Sequence, residues 1–356
     1  MEENKYRVGI IGFGRIGESL SSSLVHKYAD NLSGLTIFYR NEREGEGDKV
    51  KAQIAHLEDS IIGKFPMCAT SSLGFVGENS DIIVVAIGNK EREREISNRG
   101  GLIGLYFEDI KRIMEGIGIS ESTILMATNH VTSNCLVAQF YSQQLNPNVL
   151  GFMGIDYFRG LRILKEWIAT ENSEINPLEL KIDLSLFGPH GTGLIATGAS
   201  MDFKTAYNDR DLKKMLGFKD PYKTFENLAG QIIERGEALH RQGEGELGVN
   251  FSFQIGETIH QIMNDGKDIV AMDISPNKHI KSGFYLKKLK KPIFMGYPVE
   301  FTNGLALPSL EIDVKKIPKN LRVSLKDSLI EEREKIKFYL KQTGSQFEKL
   351  GDYLNC

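Results

Sequence analysis

The sequence is poor in cysteine. Only Cys68, Cys135 and Cys356 occur in 356 residues, widely spaced and with no CxxC pair. That scarcity argues against a disulfide framework or a cysteine-based zinc site and fits a reducing compartment. No metal is expected. An excess of one charge is also lacking: 44 Lys and Arg against 47 Asp and Glu leave a net charge of −3. Nothing electrostatic therefore points to nucleic acid or an anionic membrane as partner. The basic run Lys287-Lys288-Leu289-Lys290-Lys291 reads as a solvated turn. No apolar stretch reaches the roughly 18 residues of a membrane span. The opening MEENKYR is charged where an export signal would be apolar. A cytoplasmic protein is the expectation. Internal repeats and low-complexity linkers are missing as well. What is present is ordinary for a globular protein, 41% hydrophobic and 26% charged, and long enough for two domains.

Near the start, Tyr6–Ile11 (YRVGII) is a short apolar run that reads as a buried strand. Gly12-Phe13-Gly14-Arg15-Ile16-Gly17 follows at once. In a strand–turn–helix context, Gly12 permits the tight turn, Gly14 lets the backbone approach a pyrophosphate, and Gly17 lets the helix pack on the strand. The N–H groups at the helix start, including those of Arg15 and Ile16, would face the phosphates. A helix-like run (Ile16–Tyr28) and a second strand (Leu35–Tyr39) complete a βαβ unit. That context raises a weak motif to a dinucleotide site.

An acidic residue usually ends the second strand, where it accepts from the ribose 2′-hydroxyl of NAD. Here the strand ends Tyr39-Arg40-Asn41. Arg40 would make a charge-assisted contact with a 2′-phosphate, or it is a solvated surface residue. The cofactor is NADP or NAD, with NADP slightly favoured.

Strands and helices alternate through the first half. Asp81–Ile87, Thr123–Ala127 and Val149–Ile155 read as buried strands, Gly101–Ile117 and Val131–Gln144 as helices, and Asn146-Pro147-Asn148 as a turn. Alternation of this kind implies a Rossmann-type doubly wound parallel sheet, with ligands at the carboxyl ends of the strands. Gly12, Gly88, Asn129 and Asp156 all fall just after strands. The second half differs in texture. Leu178–Leu186, Lys267–Asp273 and Pro298–Asn303 look like strands, flanked by helices at Pro221–Gln242 and Leu325–Tyr339. A dinucleotide-binding domain over residues 1–154 and an α+β catalytic, substrate-binding domain over 155–356 are expected. Glu44-Gly45-Glu46-Gly47-Asp48 and Gln242-Gly243-Glu244-Gly245-Glu246 read as flexible loops.

Behind the fingerprint come Asn129, then Asp156 and Arg159, then His190 between Pro189 and Gly191. Together they supply a polar anchor, a carboxylate, a guanidinium and an imidazole. Those groups suit protonation of a carbonyl while an adjacent carboxylate is gripped. An unperturbed imidazole titrates near neutrality, so His190 is the candidate to give the proton. Asp156 would orient the imidazole and stabilise its cation. Arg159 offers a planar fork to a carboxylate, and Asn129 would anchor the carbonyl oxygen and a cofactor group. The plainer alternative stays open: Asp156 and Arg159, three apart on a helix, form an ordinary ion pair, and His190 is a turn residue.

GFGRIG at Gly12, ATNHV around Asn129, GIDYFRG at Asp156 and Arg159, GPHGTG at His190 and the late YPVEFTNGL together resemble the lactate/malate dehydrogenase family, over nearly the whole chain. The resemblance implies a 2-hydroxy acid dehydrogenase with a His–Asp proton couple, assembling as a homodimer or homotetramer. Three departures stand out. His130 follows Asn129 where the family usually has proline, and Pro189 precedes His190 where an acid or glycine is common. The mobile loop, Asn89 to Arg99, puts Ser97 where an ungapped count places the family's carbonyl-polarising arginine. Arg99, then Arg94, is the substitute, with Arg92 also in the run; a solvated helix of alternating charge looks the same. Two rival readings remain. An imine reductase resembling pyrroline-carboxylate reductases would share only the cofactor domain. A non-catalytic dinucleotide-binding regulatory protein would keep the fold without turnover.

Overall fold

The structure, a computed structural model, describes residues 5–40, 45–61, 65–88, 103–142, 148–171, 176, 180–188, 195–203, 227–235, 238, 247–264, 270–274, 294–302, 305–308, 319–342 and 347–355. The first half runs β1 (Tyr6–Ile11), α1 (Arg15–Lys27), β2 (Leu32–Phe38), α2 (Glu46–Ile61), β3 (Met67–Thr70), α3 (Leu73–Glu78) and β4 (Ile82–Val85). It continues with α4 (Phe107–Ile117), β5 (Thr123–Met126), α5 (Val131–Tyr141) and β6 (Asn148–Phe152). Six of these strands pair in parallel in the order β3-β2-β1-β4-β5-β6. The order reverses between β1 and β4, so a crevice opens there at the carboxyl edge.

Both faces of this sheet are covered, which explains why the strands are continuous apolar runs rather than alternating ones. Val8, Ile10, Val84 and Leu125 face one core with Leu20 and Leu24 of α1. Ile11, Ile83, Val85 and Ile124 face the other, packed against Phe107 of α4 and Val137 of α5. Each fully buried Ile, Leu or Val contributes about 1.5–3 kcal/mol, so burial on both faces is a large part of what holds this sheet together.

The second half supplies α6 (Gly154–Glu171), a hairpin of β7 (Leu180–Phe187) and β8 (Ile195–Phe203), α7 (Leu247–Met263), and β9 (Val270–Ile274), β10 (Met295–Thr302) and β11 (Leu305–Pro308). Residues 227–235 are helical. β9 pairs antiparallel with β6, and β10 and β11 follow, so the sheet continues to nine strands. Two C-terminal helices, α8 (Lys319–Gln342) and α9 (Glu348–Asn355), return to the first half. Ile336, Leu340, Phe347 and Leu350 complete the core beside β4 and β5. Across the opposite face, α7 lies on α1: the Ser252 hydroxyl donates to the Ile16 carbonyl at 3.0 Å, and Tyr28 Oη donates to Glu257 at 2.6 Å.

Several local bounds change: the helix expected from Gly101 starts at Phe107, the strand expected over Pro298–Asn303 runs Met295–Thr302, and the helix expected over Leu325–Tyr339 runs Lys319–Gln342. The run expected as strand to Ile155 ends at Phe152, because Gly154 opens α6. The acidic loop expected over Glu44–Asp48 is already helix from Glu46. Glu46 and Asp48 sit in its first turn, where the positive end of the helix dipole favours carboxylates. The Gln242–Glu246 loop lies outside the described residues.

Candidate active site

Gly12 follows β1 with φ +107°, a conformation open to glycine, and a Cβ there would lie 2.5 Å from the Ala86 carbonyl oxygen. Turn and neighbouring strand end therefore touch backbone to backbone. A Cβ on Gly17 would collide with the Gly12 carbonyl, so α1 starts hard against the turn. Gly14, in contrast, has no heavy atom within 4 Å of its Cβ position. Gly14 is also the N-cap of α1 and contributes no side chain, so the helix's first N–H groups are uncapped. Tight packing at Gly12 and Gly17 with open space at Gly14 fits a backbone cradle for a pyrophosphate. Arg15 is exposed beside it, Ile16 is half-buried, and Gly88 is exposed after β4.

Arg40 emerges past the end of β2. Its guanidinium makes an ion pair with Asp109 at 3.2 Å, and Asp109 belongs to the first turn of α4. The carboxylate expected at the strand end and missing there is thus supplied from 69 residues away. Arg40 is neither a bare cation nor simply solvated.

Asn129 stands exposed after β5. Among the described residues its side chain makes no hydrogen bond. Its neighbours are held firmly. Thr128 Oγ donates to the Val85 carbonyl at 3.1 Å and accepts from the Ile87 N–H at 3.0 Å, joining the loops after β4 and β5. Asn134 Nδ2 donates to the Thr128 carbonyl at 3.0 Å. The Asn129–His130 peptide is cis. His130 Nδ1 lies 3.1 Å from Glu332 Oε1 of α8, with both side chains under 10% exposed.

Asp156 lies in the first turn of α6, where its N–H donates to the Met153 carbonyl at 3.1 Å. Arg159 Nη1 donates to Asp156 Oδ1 at 3.3 Å, and the side chains are 11% and 4% exposed. The helix ion pair is therefore formed, and it is buried at the carboxyl edge of β6 rather than solvated. α6 is pressed onto β7: a Cβ on Gly160 would strike the Leu184 side chain.

His190, Arg92, Arg94 and Arg99 lie outside the described residues. The chain can be followed to Gly188, which exchanges backbone hydrogen bonds with Gly296 of β10 at 3.2 and 2.8 Å. The Met153 side chain also packs against Gly296. Among the described residues no group of His, Cys, Asp and Glu side chains is placed to hold a metal ion. No helix among them is long and apolar enough to cross a membrane.

Sequence reasoning named Asn129, Asp156 and Arg159 but missed Asp109 and Glu332. Asp109 left no local signal. Glu332 did leave one, as a lone carboxylate in the buried stripe Leu325, Leu329, Ile336, Leu340 of α8.

No family model matches the chain, and no curated protein matches it in sequence. Solved structures do match. Malate dehydrogenase from Naegleria fowleri ATCC 30863 superposes with a TM-score of 0.69 at 14% identity, covering 95% of this chain and 100% of that one. Malate dehydrogenase from Plasmodium falciparum gives 0.73 at 14% identity, over 94% and 98%. MGS-M5, a lactate dehydrogenase from a Medee basin deep-sea metagenome library, gives 0.70 at 15% identity, over 94% and 99%. The chain has a lactate/malate dehydrogenase-like fold.

Proposed function

We propose that a chain with this fold and this sheet edge is an NAD(P)-dependent oxidoreductase that interconverts a small 2-hydroxy acid and its 2-oxo acid. One observation carries the reading. The buried Asp156–Arg159 pair opens the helix after β6, at the same carboxyl edge as the glycine cradle after β1. An ion pair so buried is a weak source of stability, which favours a functional reason for keeping it.

Gly12, Gly14, Arg15, Ile16, Gly17 and Gly88 hold the dinucleotide. When bound, its nicotinamide supplies the hydride that reduces the substrate carbonyl. Arg159 grips the substrate carboxylate, because a guanidinium presents a planar fork of donors that matches a carboxylate. Asn129 anchors the carbonyl oxygen, being exposed with its backbone fixed on both flanks. His190 gives that oxygen its proton, and Asp156 orients and stabilises the imidazolium. The Gly188–Gly296 bridge supports this assignment, because it holds the chain two residues before His190 beside Met153, three residues before Asp156. A loop arginine, Arg99 before Arg94 or Arg92, polarises the carbonyl. Arg40 reads the ribose 2′ position and favours NADP over NAD, against the opposing pull of Asp109. The two functional units are residues 1–154 and 155–356, and the protein works as a homo-oligomer.

The test is turnover. Purified protein is given NADPH or NADH with a panel of 2-oxo acids and, separately, a cyclic imine acid. Consumption of reduced cofactor with at least one 2-oxo acid is expected. Reduction of the imine alone would transfer the chain to the imine reductases, and cofactor binding without turnover would favour a regulatory role.

A further inference from the structure

His130 and Glu332 are buried, chemically active and unused by the mechanism above. Glu332 occupies a position that the helical repeat of α8 reserves for an apolar side chain, between Leu329 and Ile336. Its carboxylate approaches the imidazole of His130 at 3.1 Å, and Ser133 Oγ approaches the same nitrogen at 3.4 Å. An apolar pair of similar volume would serve stability as well or better, so packing does not account for this couple. Its location does. His130 is the immediate neighbour of Asn129, whose own side chain makes no hydrogen bond among the described residues. The direction of Asn129 is therefore set by what flanks it. On one flank Thr128 is pinned to the end of β4. On the other, His130 lies against Glu332 of the C-terminal helix, 3.1 Å away.

We propose that Glu332 is a positioning residue: acting through His130, it fixes Asn129 at the nicotinamide end of the site. The inference rests on the functional reading above and adds a dependence of the site on α8, 203 positions downstream of Asn129 in the chain. Its consequence is specific. Loss of Glu332 disturbs what Asn129 touches and leaves the distant adenosine and pyrophosphate contacts alone.

The test compares the parent, Glu332→Leu, Asn129→Ala and the double variant in the full chain. Calorimetric titration with NADH and with ADP-ribose, which lacks the nicotinamide, is paired with kcat and KM for a 2-oxo acid. Glu332→Leu should lose affinity for NADH but not for ADP-ribose. It should also lower kcat by up to about 10²-fold, the scale of an ångström-level misplacement. In the Asn129→Ala background, Glu332→Leu should cost nothing further, because residues acting in series are not additive. Losses that multiply in the double variant, or equal weakening of NADH and ADP-ribose, would overturn the proposal, as would parent-like behaviour of Glu332→Leu. Should the leucine variant fail to melt cooperatively, Glu332→Gln, which keeps the volume and removes the charge, takes its place with the same expected outcome. A parent that binds NADH without reducing any 2-oxo acid would sink the functional reading, while the binding comparison would still decide the role of Glu332. NADPH with 2′-phospho-ADP-ribose replaces NADH with ADP-ribose if the parent prefers the phosphorylated cofactor, and a parent that binds neither NADH nor NADPH would overturn both.

Discussion

Removing the Arg40 side chain tests how the cofactor is chosen. If Arg40 meets a 2′-phosphate, it must first share or leave its 3.2 Å contact with Asp109. A hydrogen bond to a charged group contributes about 1.5–3 kcal/mol. A part-exposed ion pair contributes about 0.2–1 kcal/mol, and Arg40 is 43% exposed, so solvent already weakens its hold. The difference leaves roughly 0.5–2.8 kcal/mol in favour of the phosphate, or about 2- to 100-fold in affinity. Arg40→Ala should therefore weaken NADPH by about that factor and change NADH little, and Arg40→Asp should erase or reverse the preference. Asp109→Asn should act oppositely, raising the preference for NADPH by about 1.5- to 5-fold as the competing carboxylate disappears. Fluorescence titration with NADPH and NADH gives the ratio of dissociation constants directly. A ratio unchanged in both Arg40→Ala and Asp109→Asn would show that Arg40 points away from the ribose.

Other outcomes can be checked separately. His190→Asn should leave cofactor binding nearly intact and cut turnover by about 10²–10⁴-fold, as measured by steady-state kinetics; full activity would reassign the proton donor. Arg159→Lys should chiefly raise KM for the 2-oxo acid, because an ammonium cannot reproduce the two-point grip. Tyr28→Phe should lower the melting temperature, since the hydroxyl donates to Glu257 at 2.6 Å. Burial, and then the bond to Glu257, push the Tyr28 hydroxyl up to about 12 from 10.0. The folded state thus favours the protonated form. That stability is complete below pH 10 and fades as pH climbs through 12, so the parent–variant gap in melting temperature should narrow across that window. Sedimentation at micromolar concentration should show a homo-oligomer, and a monomer would contradict it.

Local pattern reached a good part of this fold. β1 falls where the run YRVGII places it, because its buried part, Val8 to Ile11, is covered on both faces and so reads as a continuous run without polar side chains. The glycine fingerprint was legible because Gly12 and Gly17 sit in close backbone packing at a strand–turn–helix junction, while Gly14 leaves the helix start open. Asp156 and Arg159, three apart on one helix, could be paired from spacing alone. Long-range arrangement was harder. Nothing local says that β9 continues the parallel sheet antiparallel, because strand direction depends on the route of the chain. Arg40–Asp109 and His130–Glu332 join segments 69 and 202 positions apart, and neither partner carries a mark naming the other. Glu46 could be read as loop or as helix start, and the glycines at 45 and 47 favoured the loop. The helix dipole and the burial of Val50, Ile54 and Leu57 decided for helix.

The central claim is that Asp156, Arg159 and His190 form one site for a 2-oxo acid beside the nicotinamide. A crystal structure with NADH and oxamate, an unreactive 2-oxo acid mimic, tests it most directly. The oxamate carboxylate should lie on the Arg159 guanidinium, its carbonyl oxygen within hydrogen-bond reach of the His190 imidazole, with Asp156 on the far nitrogen of that ring. Oxamate bound away from Arg159, or a His190 ring remote from both the ligand and Asp156, would contradict it.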